Sequence, residues 1–231
     1  MLEDLRDLLS SYPDSISYDA YRTAIIDENV LQKRTRSSRV RGLRQLRELY
    51  ALDHNVLVFR ALRDLWAADQ DAQPLLAMLS ATARDPIVRA SAETVLTMPV
   101  GDLVTTKMLE KAVETVFPER YSSGVRARIG RNLASSWQQS GHLKGKLHKV
   151  RVHAVSRPTS VAYALFLGHL CGERGDQLFT TLWCQLLDTP LHLLHELAIV
   201  ASRNGWIEYR HAGNVTDITF RYLERAGDNL V

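Results

Sequence analysis

Basic and amide side chains recur between residues 121 and 172, a stretch that contains no Asp or Glu. Unopposed cations attract polyanions, and Lys and Arg are the side chains that most often contact nucleic-acid phosphates. We predict that four side chains on one helix face could reach base edges, namely Arg128, Asn132, Ser135 and Gln139. We predict that six bases around them hold phosphates, namely Arg126, Arg131, Lys144, Lys146, Lys149 and Arg151.

A second basic cluster lies in residues 31–50, which carry seven bases against the single acid Glu48. Its candidate nucleic-acid contacts are Lys33, Arg34, Arg36 and Arg39. Residues 1–30 carry seven acids and two bases, so part of the cluster could instead pair with this acidic segment and serve folding. Both interpretations stay open, as does the reading of the acid-free stretch as an ordinary solvated face.

Motifs for catalysis are absent from the chain. It has no phosphate-cradling G-x-x-x-x-G-K-[ST] loop, no G-x-G-x-x-G, no C-x-x-C and no H-E-x-x-H. His192 and His195 lie three residues apart on a predicted helix and could in principle share a metal, but no third or fourth ligand is evident. We therefore expect a protein that is not an enzyme and that uses no metal or cofactor.

The elements that must position these side chains are mainly helical. Hydrophobic residues make up 45% of the 231 residues, enough to build a core. No apolar run reaches the roughly 18 residues that a membrane span needs, and the first residues are acidic where a secretory signal would be basic. We therefore expect a soluble protein without membrane contact. Because the chain has only two cysteines, Cys171 and Cys184, a disulfide framework is not expected and the predicted location is the reducing cytoplasm.

One helix and the segment after it together predict a winged-helix-like unit. Apolar residues every four positions, from Val125 to Trp137, indicate a helix that ends at Gly141. Valines alternating with bases over residues 146–155 then indicate a basic hairpin. In winged helices the helix enters the major groove and the wing follows the backbone.

The same outline recurs near the C-terminus, where a helix ending near Arg203 precedes a hairpin over residues 206–220. This unit carries Glu196, Glu208 and Asp217, and its helix is mostly apolar. We expect it to pack against a partner or the rest of the chain rather than to read DNA.

The predicted fold class is mainly α, a helical bundle with one or two winged-helix-like modules that carry short β-hairpins. The break at residues 98–102 divides the chain into an N-terminal helical domain, 1–100, and a C-terminal domain, 101–231. The winged-helix-like units would span about 105–160 and 176–222.

The segment Asn29-Val30-Leu31-Gln32-Lys33-Arg34-Thr35-Arg36-Ser37-Ser38 resembles the signature of the BrxA family, a small component of bacterial BREX phage-defence systems. The resemblance continues through residues 75–79, 85–88 and 128–143, and covers roughly residues 20 to 200. It implies a helical protein of NusB-like character that binds DNA beside BREX proteins that methylate host DNA and restrict phage. The family has no assigned catalytic residues.

Together these patterns predict a non-catalytic component of a BREX-type system that binds double-stranded DNA largely without regard to sequence. Its expected partners are duplex DNA and other BREX proteins. Two alternatives stay open: an adaptor that binds other defence proteins, and a NusB-like RNA-binding factor. Sequence-specific RNA binding usually needs aromatic side chains that stack on bases. The aromatic residues of the acid-free stretch lie mostly in apolar stripes, which weighs against the RNA-binding alternative.

Overall fold

A computed structural model of the chain describes residues 1–12, 17–213 and 215–225. Of these residues 62% are helical, and the strands among them form two small antiparallel hairpins, which confirms the predicted mainly helical bundle with short hairpins. The helices are α1 (Leu2–Ser11), α2 (Tyr18–Ile26), α3 (Arg36–Tyr50), α4 (Leu57–Trp66), α5 (Gln73–Arg84), α6 (Pro86–Ala90), α7 (Ala92–Leu96), α8 (Thr106–Val116), α9 (Ser123–Gln139), α10 (Pro158–Leu170), α11 (Leu182–Gln185), α12 (Leu191–Arg203) and α13 (Arg221–Glu224). The strands are β1 (Leu143–Lys144), β2 (Val150–Arg151), β3 (Glu208–Ala212) and β4 (Val215–Thr219). Within the described ranges no helix is both long and apolar enough to cross a bilayer.

Helix α10 lies at the centre of the molecule. Every residue from Thr159 to Gly168 is buried, because the helix is apolar on all sides and packs against α4, α5, α11 and α12. The Tyr163 hydroxyl donates to the Val58 carbonyl at 2.9 Å. The buried residues from Leu2 to Leu223 form one hydrophobic cluster. The division at residues 98–102 stays a prediction.

The first helix-and-hairpin unit consists of α8, α9 and the β1–β2 hairpin. Thr105 caps α8 by accepting a hydrogen bond from the Met108 N–H at 3.3 Å. Leu143 pairs with Arg151 and Lys144 with Val150, and Leu103 forms a further antiparallel bridge to Val150. The order is a single bridging residue, two helices and a hairpin, which follows the order of elements in a winged helix, although Leu103 forms one bridge and no strand.

The second unit consists of α10, α11, α12 and the β3–β4 hairpin. The hairpin strands pair from Glu208 with Thr219 to Ala212 with Val215. Strand β3 packs on α12, and β4 packs on the 3₁₀ turn Gly175–Thr180 that precedes α11. Each unit thus ends in a helix followed by a hairpin. Asn214 and residues 226–231 lie outside the described residues.

Candidate nucleic-acid interface

Helix α9 presents one polar face to solvent. Its buried side consists of Gly130, Leu133, Ala134 and Trp137, and Trp137 donates its indole N–H to Ser91 Oγ at 2.8 Å. The opposite side is exposed and carries Arg128, Arg131, Asn132, Ser135 and Gln139. The helical period therefore collects the candidate side chains of α9 on one surface.

The polar face is bordered on one side by a cleft of about 400 Å³ between α3 and α9. Asn132, Ser135 and Gln139 line it from α9, while Glu48 of α3 and Asp85 add carboxylates to its lining. Gln139 is partly engaged, since its amide nitrogen donates to Ser135 Oγ at 3.1 Å. Because carboxylates repel phosphates, a nucleic acid would be favoured on the side of the face that carries Arg128 and Arg131.

Arg126 belongs to the packing between α8 and α9. Its guanidinium donates to Glu114 Oε2 at 2.6 Å and to the Tyr121 carbonyl at 3.0 Å. The partner Glu114 lies just upstream of the acid-free stretch. Arg126 therefore forms an ion pair between α8 and α9. Because Glu114 already neutralises its charge, Arg126 is a poor contact for phosphate.

The turn between β1 and β2 forms a small basic wing, residues 144–149. Lys144, Lys146 and His148 are exposed, and Leu147 at its tip is 93% exposed. Gly145 has a φ of 115°, and a Cβ there would lie 2.1 Å from the His148 carbonyl oxygen, so only glycine permits this turn. The Lys149 ammonium turns back to Gln138 Oε1, which ties the base of the wing to the end of α9.

Arg151 is not available to a phosphate, and its assignment as a phosphate contact is wrong. The residue is 1% exposed and donates two hydrogen bonds to the Asp188 carboxylate, both at 2.8 Å. A third donor, Nε, reaches the Val95 carbonyl at 2.9 Å. The strand carries Arg151 inward because neighbouring strand residues point to opposite faces, and the partner Asp188 lies 37 residues away in sequence.

The cluster at residues 33–39 divides into bound and free cations. Lys33 Nζ lies 2.6 Å from Asp4 Oδ1, and Arg39 Nη1 donates to the Ile26 carbonyl at 2.7 Å. The first contact holds α1 against the loop before α3, and the second holds the end of α2 against the start of α3. For these two residues the contacts favour the folding role. Arg34 and Arg36 are exposed.

Two further exposed cations, Arg41 and Arg44, lie on the outer side of α3 and were not among the candidates. The signal for them was present in the sequence, because Val40, Leu43, Leu46 and Tyr50 mark the opposite side of that helix. In the structure Leu43, Leu46 and Tyr50 are buried, whereas Val40 is half exposed.

Of the two histidines with the spacing of metal ligands, His195 is engaged by other residues. His195 Nδ1 lies 2.6 Å from the Tyr209 hydroxyl, and its ring stands 4.2 Å from that of Phe179, between centroids. His192 is exposed. Across residues 1–12, 17–213 and 215–225, no three His, Cys, Asp or Glu side chains are grouped as metal ligands would be.

In comparisons with known proteins, no family model and no curated protein matches the chain. The resemblance to the BrxA family therefore stays a prediction from residues 20 to 200.

Proposed function

We propose that the protein binds double-stranded DNA without catalysing a reaction on it, largely without regard to sequence, through α9 and the wing. The observation that carries the proposal is the set of exposed cations in a helix-and-wing arrangement, Arg128, Arg131, Lys144 and Lys146. In this arrangement a helix enters the major groove and the wing follows the neighbouring backbone. Membership in a BREX-type defence system is proposed on the resemblance alone.

The number of free cations sets the expected salt dependence of binding. Each neutralised phosphate contributes about 0.9 to the slope of log K against log salt concentration, so four contacts predict a slope of about −3.6. Arg126, Lys149 and Arg151 are engaged within the protein and are not counted. A steeper slope would indicate that exposed bases of α3 also reach the DNA.

Sequence preference should be weak. Phosphate contacts position a protein on DNA and carry no base information. The amide and hydroxyl side chains that could read bases, Asn132, Ser135 and Gln139, border the cleft that also contains Glu48 and Asp85. Duplexes of different sequence should therefore bind with similar affinity.

The test is fluorescence anisotropy of a labelled duplex of about 30 base pairs, titrated between about 50 and 200 mM salt. The variant Lys144→Ala/Lys146→Ala should reduce the salt slope by about 1.8. The control Arg22→Ala/Arg210→Ala removes the same charge from exposed positions outside α9 and the wing, and should leave the slope unchanged.

Two results would overturn the proposal. The first is no binding near 50 mM salt, which would favour the adaptor alternative. The second is an equal change in slope for both double variants, which would place the interface elsewhere. Stronger binding of single-stranded RNA would favour the RNA-binding alternative, against which stands the burial of Trp137, Tyr163 and Phe166 in the acid-free stretch.

A further inference from the structure

Helix α12 exposes an apolar stripe. Leu193, Ile199 and Val200 are 39%, 41% and 38% exposed, whereas Leu194, Ala198 and Ala201 on the opposite side are buried. Helix α12 therefore presents four large aliphatic side chains to solvent, these three and Leu191 at its first position, which is 55% exposed. Aliphatic side chains grouped on one helix face are typical of an interaction surface.

This stripe does not suit nucleic acid. Helix α12 holds the position in the second unit that α9 holds in the first, immediately before a hairpin. Yet its exposed side carries one acid, Glu196, and one permanent cation, Arg203, beside His192. A face with no net charge and an apolar centre fits a protein surface rather than a polyanion.

The two charges are placed symmetrically about the apolar centre. Glu196 lies three residues before Ile199, and Arg203 lies three residues after Val200. When two copies of one helix pack antiparallel about a two-fold axis, residues equally far from the axis on opposite sides face each other. An axis between Ile199 and Val200 places Glu196 of each copy opposite Arg203 of the other. Neither residue forms an ion pair within the described part of the chain.

We propose that α12 is the contact between two copies of this chain, packed antiparallel about that axis. The stripe is then self-complementary, as an isologous two-fold interface requires. Parallel packing in register would instead place Glu196 beside Glu196 and Arg203 beside Arg203. The proposal is independent of DNA binding.

The size of α12 predicts a reversible dimer. Its 13 residues span about 20 Å at 1.5 Å per residue. One helix of that length supplies only part of the roughly 800 Å² per partner of a standard interface. The dimer should therefore dissociate on dilution.

The test is sedimentation velocity across a concentration series of the full chain. The wild type should shift from monomer to dimer, and Glu196→Arg and Arg203→Glu should each weaken association at least tenfold by opposing like charges. The double variant Glu196→Arg/Arg203→Glu exchanges the two charges and should restore association to within a few-fold of wild type.

Circular dichroism checks that the variants are folded, which we expect because both residues are exposed. Glu173→Arg is the control variant: it reverses an exposed charge outside α12 and should dimerise normally. A wild type that stays monomeric at the highest concentration overturns the proposal. So does a dimer that both single variants leave intact, or one that the charge exchange does not rescue.

Discussion

Arg151 and Asp188 form a bidentate ion pair that joins the β1–β2 hairpin to the turn before α12. Asp188 also accepts from the Ala154 N–H at 3.1 Å, while Arg151 donates to the last residues of α7 through the Val95 carbonyl. Burial raises the pKa of Asp188, but the hydrogen bonds from Arg151 and Ala154 outweigh it and hold that pKa below its ordinary value. The pair thus fixes where the wing stands relative to the second unit.

Arg151→Ala should lower the free energy of unfolding by about 3–5 kcal/mol, because it leaves the Asp188 carboxylate partly buried without its cation. Urea denaturation followed by circular dichroism measures the loss. The double variant Arg151→Met/Asp188→Leu removes both charges and should lose less than Arg151→Ala. A loss below about 1 kcal/mol for Arg151→Ala would contradict a structural role for the pair.

His142 should make stability depend on pH. The ring is buried, with Nε2 donating to the Leu186 carbonyl at 2.9 Å and Nδ1 2.8 Å from Ser140 Oγ. Burial lowers its pKa from 6.5 to about 4. Between these values the unfolded chain binds a proton that the folded protein does not, so the unfolding free energy falls as pH falls, by up to about 1.4 kcal/mol per pH unit. Above pH 6.5 this contribution is fully present.

The measurement is urea denaturation at several pH values between 4 and 7, with His142→Gln and the control His148→Gln. His142→Gln should be less stable above pH 6.5 but should show a shallower decline below it. His148 is exposed, so its variant should follow the wild-type curve. The lowered pKa of Asp188 adds a loss in the same direction only at the acid end of this range, since its contribution is lost progressively from about pH 5 downwards. If the unfolding free energies of wild type and His142→Gln fell in parallel with pH, His142 would be excluded as the source of the pH dependence.

Gly130→Ala should separate α8 from α9. An added Cβ would lie 2.7 Å from the Thr106 carbonyl oxygen and 2.7 Å from Glu110 Cγ, and the backbone oxygen cannot move without moving α8. We expect a loss of about 1–3 kcal/mol, as for overpacking in a tight contact. Gly124→Ala in the same helix meets no atom within 4 Å and is the matched control. Equal thermal stability of the two variants would show that the contact at Gly130 is unimportant.

Lys33 and Arg39 should affect stability rather than DNA binding. Removing the Arg39 guanidinium leaves the Ile26 carbonyl without its donor, and a hydrogen bond to a charged group contributes about 1.5–3 kcal/mol. The double variant Lys33→Ala/Arg39→Ala should therefore melt earlier than Arg34→Ala/Arg36→Ala, which alters exposed side chains. Reduced DNA affinity with unchanged melting in the first variant would reverse this assignment.

The strands of the first hairpin lie at Leu143–Lys144 and Val150–Arg151, not both within residues 146–155, where the alternation of valines and bases predicted them. The amino-acid sequence by itself did indicate a mainly helical chain, a hairpin after α9, another after α12, and the polar face of α9. These follow from local periodicity, since the positions of Leu133 and Trp137 decide that Arg128 and Asn132 lie on the opposite side. The central position of α10 did not follow in the same way. A helix apolar on every side has no periodicity to indicate its neighbours, and its contacts with α4 and α5 depend on long-range packing.

Only the tertiary structure decided which cations are free. Arg151, Arg126 and Lys33 look like their exposed neighbours in the sequence, yet each pairs with a distant acid, respectively Asp188, Glu114 and Asp4. The physical reason is that a charge is neutralised by whatever lies within a few ångströms in space. Folding brings together residues 12 to 37 positions apart. The charge counts offered pairing between residues 31–50 and 1–30 as one alternative, but they did not show which residues pair.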